Sequence, residues 1–396
     1  MPTLRAREGD AFRAELELGD GRRVAVGPAR PDDVLKIRWL YHRIYGGSYP
    51  FSLVYNPAEC AKAIESDRYL WLLARDGDQA VGSLIFTFNP AIALGKVFGG
   101  VVAEEYQGRD LAARMLAFGV QAVIGTLGAA RTVYATTRTV NLGPQRLTEK
   151  AGFKKLGIFP NAHRVQRSET HTLGVYFGEG ALEGRTRTPR LPLLLKPFFQ
   201  LVRRETGLPE AEYADLALPA GSSAGTSFEV IQAGQFILRR FQEVKRSGKL
   251  ALDFFPFHEP NLLLMSPDGR TELFLYRSSK DGHCVLTGAY SETLELHRLL
   301  DDGAAFLEDM GVRYLEALVD ASDAESVNHA LGARFLPSAY YPAMRWDADG
   351  KTGRDYVVLS RSLAVLDFRG ITLQPAYADY LREYFRLWRE LHVGQT

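Results

Sequence analysis

Apolar positions recur along the chain with two alternating periods, and the alternation predicts an order of strands and helices. Residues 23–26 read as a short strand, followed by a helix over about 32–45 with Asp32 placed to cap it. Residues 57–64 form a second helical stretch. Residues 69–75 and 81–88 carry the strand pattern, and the intervening Asp76-Gly77-Asp78 predicts a hairpin turn. A third apolar run, 96–102, ends where a glycine-bearing loop begins. In the next helix, 111–127, Leu116, Val120, Val123 and Leu127 share one face and Gly128 stops it. A strand at 132–137, a short helix at 144–151 and strands at 153–158 and 172–177 follow. This order predicts a mixed α/β sheet with helices on both faces, occupying residues 1–185.

Residues 186–225 differ in composition. Pro189, Pro192, Pro197, Pro209 and Pro219 punctuate them, and they close in Gly221-Ser222-Ser223-Ala224-Gly225, which marks a linker. Their apolar run 191–202 is broken by Lys196 and Pro197 and falls short of the ~20 residues of a membrane span. It reads as a packed linker helix, with a partner or membrane-surface contact as the alternative.

Residues 226–396 then repeat the theme: a helix at 228–245, strands at 262–265, 272–276 and 284–289, a helix at 293–310 stopped by Gly311, a strand at 314–319, a helix at 324–331 and a strand at 356–360. Arg131-Thr132-Val133-Tyr134-Ala135, a short helix and Gly152-Phe153 match Arg313-Tyr314-Leu315-Glu316-Ala317, a short helix and Gly332-Ala333 in order and spacing. A diverged internal duplication explains the match.

Composition narrows the function classes. With 46% apolar and 24% charged residues the 396-residue chain is an ordinary globular one. Its 48 Lys and Arg nearly balance 47 Asp and Glu, leaving no global field for nucleic acid or anionic lipid. Cys60 and Cys284 lie in different halves, so neither a disulfide framework nor a metal site is expected, and a reducing cytoplasm fits. Neither a signal peptide nor a membrane span is expected, and the oligomeric state is not legible.

The chemistry gathers where the third apolar run meets its helix, in Val102-Ala103-Glu104-Glu105-Tyr106-Gln107-Gly108-Arg109-Asp110-Leu111-Ala112. Backbone amides at a helix N-terminus carry the positive end of its dipole and can bind a pyrophosphate. Small residues at Gly108 and Ala112 allow close approach. Thirty-nine positions past Val102, Asn141 opens Asn141-Leu142-Gly143-Pro144-Gln145-Arg146-Leu147-Thr148-Glu149-Lys150-Ala151-Gly152-Phe153.

Together these segments resemble the two acyl-coenzyme A motifs of the GNAT N-acetyltransferases, with Gln107 and Ala112 matching and Asp110 in place of a glycine. The resemblance implies a GNAT fold for the first unit and acetyl-CoA, or another acyl-CoA, as cofactor. Val102, Gln107, Gly108, Arg109, Asp110, Leu111, Ala112 and Asn141 would contact the coenzyme, and the Val102 amide would lie near the thioester carbonyl. The implied reaction moves an acyl group to the amine of a small molecule or amino acid. Protein lysines, longer acyl chains and a non-catalytic acyl-CoA sensor are the alternatives.

Two departures stand out. Thr148 occupies the place of the family's usual proton-donating tyrosine and is too weak an acid for that task. The glutamate usual on the third strand is missing too, leaving Lys96 as the one ionisable group over 93–102. Proton transfer then falls to water or a residue from elsewhere; His171 is the first candidate and His163 the second. Glu104 and Glu105 read as solvated loop charges. In the aromatic segment 45–56, Tyr49 and Phe51 are the candidate acceptor-binding residues, since the family's acceptor site is lined by this connection. The second unit has Ala289-Tyr290-Ser291-Glu292-Thr293-Leu294-Glu295 where the cofactor loop stood, with no glycine and two carboxylates. It resembles the degenerate halves of two-domain GNAT enzymes, which implies a structural or acceptor-shaping role.

Overall fold

Strand patterns from both halves of the chain join one sheet in the computed structural model, which describes residues 12–47, 49, 52–164, 167–185, 187–219, 225–278 and 280–392. The first half runs β1 (Ala14–Glu17), β2 (Arg23–Pro28), α1 (Val34–Tyr45), α2 (Ser52–Tyr55), α3 (Pro57–Glu65), β3 (Tyr69–Asp76), β4 (Gln79–Asn89) and β5 (Leu94–Val102). It continues through α4 (Leu111–Gln121), β6 (Thr132–Arg138), α5 (Gly143–Lys150), β7 (Lys154–Arg164) and β8 (Ser168–Phe177). Local chemistry sets these boundaries. Asn56 Oδ1 accepts from the amides of Ala58 (3.1 Å) and Glu59 (3.3 Å) at the start of α3, with Pro57 in the first turn. Gly46, at φ 56°, ends α1. On β4 every residue from Ala80 to Phe88 is buried, because helices cover both faces.

The expected linker is not bare chain. It holds β9 (Arg190–Pro192), α6 (Lys196–Thr206) and β10 (Glu212–Ala214), and Leu191, Leu195, Phe198, Phe199 and Val202 are buried in the main core. Beyond it come β11 (Glu229–Ile231), α7 (Gly234–Arg246), β12 (Leu262–Met265), β13 (Thr271–Arg277), β14 (His283–Ser291), α8 (Leu296–Asp309), β15 (Tyr314–Asp320), α9 (Ala324–Gly332), β16 (Leu336–Trp346), β17 (Gly353–Ser362) and α10 (Pro375–His392). Pattern reading placed neither β1, β16 nor α10, and it took the strand β11 for the start of a helix.

The fifteen-stranded mixed sheet has the order β1-β2-β3-β4-β5-β6-β8-β7-β16-β17-β15-β14-β13-β12-β11. From each outer edge inward the halves follow the same scheme: a meander, one parallel pair (β5 with β6, β14 with β15), then a final hairpin inserted in reverse. They meet at β7 and β16, antiparallel, with Ala339 opposite Gly157. A Cβ on Gly157 would lie 2.3 Å from the Ser338 carbonyl oxygen, so only glycine permits this approach. One core spans the junction, uniting Leu156, Ile158 and Val175 with Leu315, Tyr340, Val357 and Tyr380. Helix α10 returns to the first half, where Tyr377 Oη donates to the Leu173 carbonyl (3.2 Å) and Tyr380 Oη to that of Lys155 (3.1 Å). Among the described residues no helix is long and apolar enough to cross a membrane.

Candidate active site

Strands β5 and β6 pair only from Leu94 to Val97 and from Thr132 to Ala135. Past these positions the ladder stops, leaving the strands open to each other between Phe98–Val102 and Thr136–Arg138. The divergence begins at a bulge in β5, where pairing with β4 shifts between Ser83 and Ile85. Gly99 sits there at φ 69°, and a Cβ on it would meet Ile85 Cδ1 at 2.8 Å. The buried Tyr41 hydroxyl donates to the Gly99 carbonyl and lies 3.2 Å from Ser83 Oγ, which also takes the Trp71 indole N–H at 2.8 Å. The opening is thus braced from α1, β3 and β4.

The loop from Val102 turns through left-handed backbone at Gly108 (φ 72°) and Asp110 (φ 60°) before α4 begins at Leu111. Asp110 therefore adopts a conformation that favours glycine, the residue it replaces in the family pattern. Its carboxylate makes no helix-capping bond. Instead it pairs with Lys150 Nζ at 2.7 Å, and this hydrogen bond and charge hold it below the usual carboxylate range. A carboxylate here would repel a pyrophosphate, but this cation from the end of α5 offsets its charge. Gln107 Nε2 donates to the Val102 carbonyl (3.0 Å), and Arg109 Nε to that of Glu105 (3.0 Å), so both side chains lock the turn. Glu105 pairs with Arg43 and Arg109 with Asp20, so Glu105 is not simply solvated. Gly119 lets α4 lie close on β4: a Cβ there would stand 2.2 Å from the Phe86 ring.

Asn141 Oδ1 accepts from the Gly143 amide at 2.8 Å and shapes the entry to α5. The Thr148 hydroxyl is buried and donates back to the carbonyls of Gln145 (3.0 Å) and Pro144 (3.3 Å). It is engaged within its own helix.

Cross-strand register puts Lys96, Phe98, Tyr134, Thr136, Arg138, Leu173 and His171 on the face that α1 covers. Tyr49 belongs to this face: its ring lies 5.0 Å from Tyr41 and 4.8 Å from Tyr45, near enough to Arg138 for their charges to interact. Phe51 lies outside the described residues. Arg138 forms a two-pronged bond with Glu169, both contacts 2.6 Å.

His171 and His163 come together, ring centres 4.7 Å apart, and His283 of the second half stacks on His163 at 4.8 Å. His171 is largely enclosed, with 15% of its side chain exposed, and neither ring nitrogen has a hydrogen-bond partner among the described residues. Burial, aided by His163, Arg138 and His283, pushes its pKa well below the usual histidine value. The expectation that His171 titrates at neutral pH therefore does not hold. His163 keeps 38% of its side chain exposed, and its Nδ1 lies 2.8 Å from Asp281 Oδ2. Behind it, His283 Nε2 is 3.4 Å from Glu316 Oε1. Burial also lowers the pKa of Lys96, whose ammonium stands 5.7 Å over the Tyr134 ring, with the Glu316 charge opposing the shift.

Sequence reading missed Asp281, His283 and Glu316 entirely, since only the β7–β16 junction brings them to this face. It also missed Glu295, His297 and His329, whose potential ligand atoms fall within 4.8 Å of one another at the start of α8. There His329 Nδ1 lies 3.2 Å from His297 Nδ1 and also accepts the His297 amide at 3.3 Å, so the pair is satisfied as a hydrogen bond. A cavity of about 450 Å³ between the β16–β17 edge and α10 shares no residue with the loop or the histidines.

Three solved structures illustrate the likeness of the first half. The ribosomal-protein-S5-alanine acetyltransferase from Vibrio fischeri is 14% identical, with 42% of this chain and 97% of that one covered and a TM-score of 0.36. A GNAT-family putative acetyltransferase from Desulfovibrio desulfuricans is 22% identical, covering 39% and 98%, TM-score 0.33. The Mycobacterium smegmatis protein RimJ, solved with CoA-disulfide, is 17% identical, covering 42% and 88%, TM-score 0.36. No curated protein matches the chain. The family model of the acetyltransferase (GNAT) family matches residues 33–153, from the start of α1 through the diverging strands and the α4 loop to α5. Residues 33–153 are a GNAT acetyltransferase domain.

Proposed function

We propose that the protein transfers an acyl group, acetyl being the simplest case, from coenzyme A to the amine of a small molecule or amino acid. The observation that carries this reading is the opening between β5 and β6 leading to the tight turn at the N-terminus of α4. The opening suits an extended pantetheine arm, and the amides after Gly108, with Lys150 beside them, suit a pyrophosphate. With the Val102 amide as donor to the developing oxyanion, the acceptor amine approaches from the face of Tyr49, Arg138 and His163. His163 receives the proton of the amine. Thr148 takes no part.

We read the second half as a diverged copy without a cofactor site. At the matching turn Ser291 Oγ accepts the amides of Thr293 (3.1 Å) and Leu294 (2.9 Å), the groups a phosphate would need. Glu292 beside them adds a like charge.

Calorimetry of acetyl-CoA on the full chain tests the reading, with Gly108→Glu as control. Binding should weaken at least tenfold in the variant, because the new carboxylate lies in the turn and the backbone there is left-handed. Thiol release in the presence of free amino acids, diamines and a lysine-bearing peptide identifies the acceptor class. Binding without release for any of them would favour an acyl-CoA sensor; equal binding by the Gly108→Glu variant would move the cofactor elsewhere.

A further inference from the structure

We propose that the second half of the chain contributes a positioning residue to the reaction: Asp281, in the turn before β14, holds His163 of β7 as the base that deprotonates the acceptor amine. This rests on the acyl-transfer reading above. The residues are 118 positions apart, yet His163 Nδ1 and Asp281 Oδ2 are 2.8 Å apart. A ring whose Nδ1–H points at a carboxylate has its lone pair at Nε2, the tautomer a general base needs.

The surroundings favour this pair over its neighbours. His163 has 38% of its side chain exposed, against 15% for His171 and 10% for His283, so it alone of the three stacked imidazoles reaches an incoming ligand. Glu169 and His171 face His163 from β8, Arg138 from β6, Asp281 and His283 from the second half, with Glu316 of β15 behind His283. Arg138 neutralises Glu169, which leaves Asp281 as the carboxylate in direct contact with the ring. Burial works against its charge, but hydrogen bonds from His163 and Ser278 hold its pKa below the usual carboxylate range, so it is ionised throughout neutral pH. His171, whose two buried ring nitrogens have no partner among the described residues, supplies polar atoms beside His163 that a bound acceptor or water would satisfy.

The chemistry balances. An acceptor ammonium gives one proton to His163 Nε2, and its freed nitrogen lone pair attacks the thioester carbonyl, forming the C–N bond. Collapse breaks the C–S bond, releases coenzyme A thiolate and leaves a protonated amide, which gives its second proton to water. The imidazolium returns its proton to the thiolate. Asp281 stays ionised throughout and stabilises the imidazolium.

The test compares full-length wild type, Asp281→Asn and Asp281→Glu, with acetyl-CoA as donor and the best acceptor from the amine panel. In Asp281→Asn, kcat should fall at least tenfold at pH 7 while acetyl-CoA affinity stays within twofold. The midpoint of its pH–rate profile should move down by about one unit, because the cation loses its partner. Asp281→Glu should recover part of kcat and of the profile. A lowered rate with the wild-type profile and no recovery in Asp281→Glu would make Asp281 merely structural and overturn the proposal. An unchanged rate in Asp281→Asn would do the same. A wild type that neither binds acetyl-CoA nor releases thiol would instead refute the acyl-transfer reading itself.

Discussion

Asp110 shows how much a single residue can convey when its neighbours in sequence are also its neighbours in space. The turn from Gln107 to Ala112 was legible because strand end, glycine and helix start all lie within a dozen residues. What could not be read was the side-chain partner: the sequence placed Asp110 among the coenzyme contacts, and Lys150, forty positions on, takes its carboxylate. The histidines make the same point more strongly. Their types suggested proton transfer, but the lower exposure of His171 and the higher exposure of His163 are properties of the packed sheet. Burial has a measurable cost in acid. The pKa of His258, enclosed near Lys96, is lowered to about 4 chiefly by burial, while an unfolded histidine titrates near 6.5. Below pH 6.5 the unfolded chain gains a proton that the folded one refuses, so stability falls as pH drops from about 6.5 to about 4. The drop from 6.5 to about 4 corresponds to roughly 3 kcal/mol. Denaturant unfolding at pH 6.5 and pH 4 should therefore show a loss smaller by about that amount in His258→Gln than in wild type. An equal loss in both would place the acid sensitivity at other groups.

At the scale of elements, the long apolar segments emerged near their expected places, β3, β4, α4 and α8 among them. β16, held between β7 and β17 and packed by α6 and α10, is buried at nearly every position, so it lacks the alternation of a half-covered strand. The helix after Asp110 was expected to reach residue 127; it is α-helical to Gln121 and widens into a π turn over Ala122–Thr126, a change of winding invisible to a face-counting argument. The join of β7 to β16 depends on one missing side chain. Gly157→Ala would push a methyl group to 2.3 Å from the Ser338 carbonyl oxygen and 2.4 Å from Ala339 Cβ. Overpacking of this kind costs about 1–3 kcal/mol. A lowered denaturation midpoint in one cooperative transition is expected; a midpoint equal to wild type would mean that the two strands part without loss.

For the whole molecule, repetition was legible and union was not. Matching element order suggested two units with a linker between them, and the structure gives the two halves the same strand scheme, yet one hydrophobic core crosses their junction. A fragment ending at residue 185 would expose Leu156, Ile158 and the underside of β8, and it should aggregate or bind hydrophobic dye where the full chain does not. A monomeric, cooperatively folding fragment would contradict this. The return of α10 onto β7 and β8 has a consequence in time. During synthesis β1–β8 leave the ribosome before α10, and this covering helix follows about two hundred residues later, roughly 10–40 s at ordinary rates of translation. Until then the nascent sheet presents a bare apolar flank of the kind chaperones recognise. A messenger cut short before α10 would yield a chain with every residue from Gln107 to Ala112 in place and no helix to close the flank of β7 and β8.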